Sequence, residues 1–138
     1  MARTKKQPVP GKGYAFMERP DILKAADAMN FNAMVAAVEA DPSCVEDTDD
    51  YWKNALHILV IGGSFRTSRM IQWLVENTKI NCHQRDMEGR DPLALALRLT
   101  DEWAAELIAP KWFEESREIQ RAQERAHLRL VDPNTPGL

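Results

Sequence analysis

Residues 86–94, Asp86-Met87-Glu88-Gly89-Arg90-Asp91-Pro92-Leu93-Ala94, decide how this 138-residue chain is read. A turn-forming Asp and Gly lead straight into a proline followed by apolar residues. A first-turn proline sacrifices no intrahelical hydrogen bond, so the stretch marks the start of a helix. Laid over it, Asp49-Asp50-Tyr51-Trp52-Lys53-Asn54-Ala55-Leu56-His57 coincides at the leading Asp and at Leu56, which precedes Leu93 by 37 residues; Leu23 precedes Leu56 by 33. A unit of that length cannot bury its own apolar face, and the chain reads as a stack of similar units.

Outward from this stretch, apolar residues fall in short bursts at helical spacing. Leu23, Ala26 and Met29, extending toward Phe31, form the first burst; Met34, Val35 and Val38 form the second, which stops at Pro42. Ala55, Leu56, Leu59 and Val60 make a third helix ended by Gly62-Gly63, and Met70, Ile71, Leu74 and Val75 a fourth over about 68–77. Leu93, Leu95, Ala96 and Leu99 supply a fifth, and Trp103, Ala104, Leu107 and Ile108 its return helix, with Trp103 expected in the core. Helices this short are not stable alone and must stack.

Asp86, Gly89, Pro92 and Leu93 follow the Asp-x-x-Gly-x-Thr-Pro-Leu-His opening of the ankyrin repeat, and Asp49, Leu56 and His57 follow it one unit earlier. Over residues 20–109 the chain therefore resembles the ankyrin-repeat family. The resemblance implies an all-α solenoid of about three stacked antiparallel helix pairs. It further implies a non-enzymatic module that binds other proteins through its repeat tips and concave face, as a small adaptor or inhibitor. His57 falls at a position that is structural in the family. Asp91 and Ala94 stand at the Thr and His positions, so the usual bond between those side chains is lost in that unit, whereas Asn54 can replace it with His57. The 37-residue spacing is expected to place its excess in a loop over Gly62–Ser68.

Pro110 is expected to separate the repeats from a C-terminal helix over 110–131. The stripe Trp112, Phe113, Ser116, Ile119, Gln123, Ala126 and Leu130 predicts that helix, with Trp112 and Phe113 capping the stack. Assembly through the same helix, including self-association, is the alternative role. Residues 132–138 are expected to fray.

The net charge of −3 conceals a division. Residues 1–19 carry +4, residues 20–107 carry −7 and residues 108–138 balance. The basic first segment, broken by Pro8, Pro10, Gly11 and Gly13, reads as a disordered tail. Five cations are a short footprint for a phosphate backbone, and the acidic body repels one, so nucleic acid is disfavoured as a partner. Ala2-Arg3-Thr4-Lys5 resembles the start of a histone tail, but over four residues alone. No apolar run is long enough to span a bilayer and no secretory signal is evident. Cys44 and Cys82 suit a reducing compartment, and the expected location is cytoplasmic, including a host cytoplasm for an effector.

The residues assemble no active site. His83 beside Cys82 offers poor convergence on one metal, His127 sits among charges, and Gly62-Gly63-Ser64 lacks the phosphate-loop pattern, so neither metal nor cofactor is expected. Recognition of another protein is expected from Tyr51, Trp52, Asp49 and Asp50 at one inter-repeat tip and Arg90 at the next. Phe65, Arg66 and Arg69 are expected at a second edge, and Trp73 lies off the innermost helical stripe.

Overall fold

A computed structural model describes residues 19–130. Within them the chain is helical and contains no strand. The helices are α1 (Asp21–Asp27), α2 (Phe31–Ala40), α3 (Ala55–Gly62), α4 (Phe65–Asn77), α5 (Pro92–Arg98) and α6 (Glu102–Leu130), with a 3-10 turn at Pro42–Glu46. Residues 1–18 and 131–138, including the basic tail and the frayed terminus expected from sequence, lie outside the described residues.

Each pair is closed by the same device. Met29, Gly63 and Thr100 adopt left-handed backbone with φ of +53°, +59° and +54°. Asn30, Ser64 and Asp101 follow them, and their side chains accept the backbone N–H groups of Ala33, Thr67 and Ala104. At the first and third turns the Asn30 and Asp101 N–H groups also reach back to the Ala25 and Ala96 carbonyls at 2.9 Å, satisfying the ends of α1 and α5. The chain thus reverses within two or three residues and lays one helix antiparallel to the last.

Inner helices α1, α3 and α5 stack in sequence, and α6 packs against both α4 and α5. The core runs through Ile22 and Leu23 of α1, Leu56, Leu59 and Val60 of α3, and Leu95 and Ala96 of α5. Met34, Met70, Ile71, Leu74 and Ile108 close it from the outer layer. Each pair contributes a few buried side chains, so the apolar surface that stabilises any one pair is supplied by its neighbour.

Three expectations require correction. The cap residues Pro20, Asn54 and Asp91 are 34 and 37 residues apart, placing Ile22 rather than Leu23 in register with Leu56. The longer second unit has no extended loop: Gly63 and Ser64 alone separate α3 from α4, and the excess lies in α4, which has 13 residues against 10 in α2. A left-handed Gly63 followed by the Ser64–Thr67 capping box starts the helix at once, in place of the expected loop. Lastly, Pro110 does not divide α6, which continues through it to Leu130. An interior proline costs about 3 kcal/mol, and anchors on both sides hold the helix. Ala104, Ala105 and Ile108 are buried before it. Beyond it Lys111 Nζ donates to the Thr78 carbonyl at 2.6 Å, Trp112 Nε1 donates to Asp91 Oδ2 at 2.8 Å, and Glu115 accepts the Cys82 N–H at 3.3 Å.

Candidate recognition surface

The turns that lead into α3 and α5, at 49–53 and 86–90, share one construction. Asp49 Oδ1 accepts the N–H groups of Tyr51 and Lys53 at 2.9 and 2.8 Å, and Asp86 Oδ1 accepts those of Glu88 and Arg90 at 2.9 and 3.0 Å. Each Asp returns its own N–H to the fifth residue's carbonyl, Lys53 or Arg90. The fourth residue is left-handed in both: Trp52 at φ +64° and Gly89 at φ +80°. The turns are also tied together. Met87 N–H donates to the Tyr51 carbonyl at 2.9 Å, Gln84 Nε2 to the Trp52 carbonyl at 3.3 Å, and Lys53 Nζ lies 3.6 Å from Asp86 Oδ2. Burial alone would raise the Asp86 carboxyl, yet the Arg90 and Glu88 N–H groups and the Lys53 ammonium hold it below the ordinary carboxylate value.

This frame displays Tyr51, 55% exposed, Trp52, 39%, and Met87, 47%. Asp50 is half-buried beside them, the Lys53 ammonium stands 5.5 Å from the Tyr51 ring centroid, and Arg90 pairs with Glu88 at 2.5 Å. Asp49, expected at the contact surface, is buried and builds the turn from within. Met87 was missed by sequence reading; its signal is an apolar residue in a polar turn, two positions before the left-handed glycine.

The remaining predicted contact residues lie elsewhere. Phe65, Arg66 and Arg69 occupy the exposed side of the first turns of α4, and Phe65 packs against Trp103 with ring centroids 5.7 Å apart. Trp103 is 49% exposed, not core, because Asp101 starts α6 in a register that turns Ala104, Ala105 and Ile108 inward. Trp73 is half-buried and edge-on to Phe31 at 6.1 Å.

His57 is fully buried and holds two repeats together. Its Nδ1 accepts the Asn54 N–H at 3.1 Å, while Asn54 Oδ1 accepts the His57 N–H at 3.3 Å. With Nδ1 accepting, Nε2 carries the proton and donates to the Arg90 carbonyl, 2.8 Å away and 33 residues on. Burial lowers its pKa, outweighing the Arg90 carbonyl and nearby Asp86, which raise it. In the next unit Asp91 Oδ1 accepts the Ala94 N–H at 2.8 Å, and its second oxygen accepts a hydrogen bond from the Trp112 indole N–H. The carboxylate therefore caps the helix without any histidine partner.

Burial, reinforced by Glu115, pushes the Cys82 thiol up to about 12, so it is held as a thiol at neutral pH. His83 stacks on Trp112 at 4.4 Å, its Nε2 hydrogen-bonded to the Trp112 carbonyl. Among the described residues no group of three His, Cys, Asp or Glu side chains converges as a metal site requires. No helix among them is long and apolar enough to cross a membrane.

No protein-family model matches the chain, and no curated protein matches it. Among solved structures it is similar to an ankyrin repeat domain from Acinetobacter baumannii AYE, at 16% sequence identity and a TM-score of 0.60. The match covers 72% of this chain, which spans about half, 54%, of the length of that one. Three antiparallel pairs, joined by left-handed turns and by Asp-led tips that hydrogen-bond across repeats, give this chain the ankyrin-repeat fold.

Proposed function

We propose that the chain is a non-enzymatic protein-binding module, a small adaptor or inhibitor, that holds another protein on the surface formed by Asp50, Tyr51, Trp52, Met87 and Arg90. Proteins of this fold generally bind other proteins through such tips and the adjoining concave face. The observation that carries the reading is Trp52. A left-handed backbone favours glycine, and Gly89 supplies one at the equivalent place, yet here the position bears the largest side chain. Packing within the chain leaves that ring partly exposed beside Tyr51, as an interface anchor requires. Acidic Asp50 and Glu88 at its rim favour a partner with a basic margin.

A second reading, assembly through α6, has its own observation. Residues 117–128 are exposed throughout, so the last turns of a helix about 43 Å long run beyond the stack.

The two readings separate in one experiment. Wild-type chain and the Trp52→Gly variant are immobilised side by side and exposed to native-host extract. A protein retained by wild type and lost from the variant, with both melting alike, supports tip recognition. Identical retention rejects it, and loss on truncation after Arg117 assigns the contact to α6.

A further inference from the structure

The three outer helices begin at equivalent places, after Asn30, Ser64 and Asp101, 34 and 37 residues apart. Each carries an aromatic residue in its first two positions: Phe31, Phe65 and Trp103. The spacing is that of the repeats themselves, so the rings form a row along the stack at the ends of the helices away from the Asp-led tips. Phe31 is half-buried, whereas Phe65 is 62% exposed and meets exposed Trp103. Ile61, Leu97 and Leu99, all exposed, extend the apolar surface from the ends of α3 and α5. Single exposed apolar residues are ordinary, but several gathered at one end of the stack mark an interaction surface.

Beside the row lies a groove of about 450 Å³, floored by Met29, Phe31 and Met70 and flanked by Asn32, Arg66 and Arg69. No carboxylate lines it, although acids outnumber bases fifteen to eight over residues 20–107. Lys53, Arg90 and Lys111 each pair with a carboxylate, while Arg66 and Arg69 have no ion pair among the described residues. An apolar floor with two uncompensated guanidiniums presents a potential opposite to that of the acidic tips.

We propose that this edge is a second docking surface, separate from the tips, for a peptide segment of a partner protein that carries an aromatic or aliphatic anchor flanked by carboxylates. The anchor occupies the groove over Met29 and Phe31, and carboxylates pair with Arg66 and Arg69, whose planar donor pairs match them. The chain's own first residues fit poorly, since Arg3, Lys5, Lys6 and Lys12 against Glu18 repeat the charge of the groove.

The test uses the full chain and a displayed library of random 16-residue peptides. Selection is expected to enrich Asp and Glu together with Phe, Trp or Leu over the naive library. Binding of a selected peptide should weaken about ten-fold or more when Arg66 and Arg69 are both changed to Glu, and persist when Tyr51 and Trp52 are changed to Ala. A version of the peptide with Lys for its acids should recover binding to the doubly reversed variant. Both arginines are exposed, and circular dichroism melting verifies that the fold survives the change. Absence of enrichment, enrichment of basic peptides, or indifference to the charge reversal would overturn the proposal. So would a concentration-dependent dimer abolished by Phe65→Ser, which would assign the edge to a second copy.

Discussion

The turns at 49–54 and 86–91 have one backbone and two sets of side chains. In both, a buried Asp gathers two N–H groups and a left-handed residue closes the loop. Their differences fall at positions the backbone leaves open. The earlier turn has Tyr51 and Trp52 where the later has Glu88 and Gly89, and its helix is capped by Asn54 with His57 where the later uses Asp91 with Trp112. Scaffold and display are thus separable within a few residues: the hydrogen bonds fix the path, and the outward side chains vary without altering it.

The comparison breaks most severely at His57. His57→Ala leaves a cavity, unpairs the Asn54 N–H and removes the bond between repeats at the Arg90 carbonyl, which keeps only the Asp86 N–H, so a loss of about 4 kcal/mol in urea unfolding is expected. The same histidine sets a pH response. Its folded pKa lies below the ordinary 6.5, so as pH falls beneath that value the unfolded chain takes up the proton first. Its contribution is therefore complete above about pH 6.5 and declines as pH drops toward the folded value. His57→Ala should remove that segment of the stability–pH curve; an unchanged curve would show that the ring is not held neutral by burial.

A smaller effect sharpens the turn comparison itself. Nothing lies within 4 Å of a Cβ built on Gly89, so Gly89→Ala tests backbone conformation alone and should cost about 1 kcal/mol. The same preference should appear at Trp52: Trp52→Gly should be more stable than Trp52→Ala by a similar amount, since both lose the indole and glycine alone favours φ +64°. Equal stabilities at both sites would mean that the turns relax and the left-handed geometry is not enforced.

Much of this arrangement was legible in the residues. Pro92 marked a helix start, Asn54 and His57 marked a side-chain bond, and the short apolar bursts at helical spacing predicted paired helices, because each depends on neighbours within a few positions. What sequence hid depends on residues far away. Pro110 reads as a helix end until Trp112, Lys111 and Glu115 find Asp91, Thr78 and Cys82 across the stack. Trp103 reads as core because its type is apolar, whereas the register set by Asp101 turns it outward. At the tips, Trp52 was visible as a departure from glycine, but its positive φ and the burial of Asp49 required the folded turn.

The central claim is that the tips are held ready before any partner arrives, and amide hydrogen exchange on the isolated chain tests it residue by residue. The N–H groups of Tyr51, Lys53, Met87, Glu88 and Arg90, all hydrogen-bonded within or between the turns, should exchange well below unfolded-chain rates although they lie near the surface. Exchange of these five at unfolded-chain rates while α3 and α4 stay protected would contradict it, leaving Trp52 on a turn with no fixed shape.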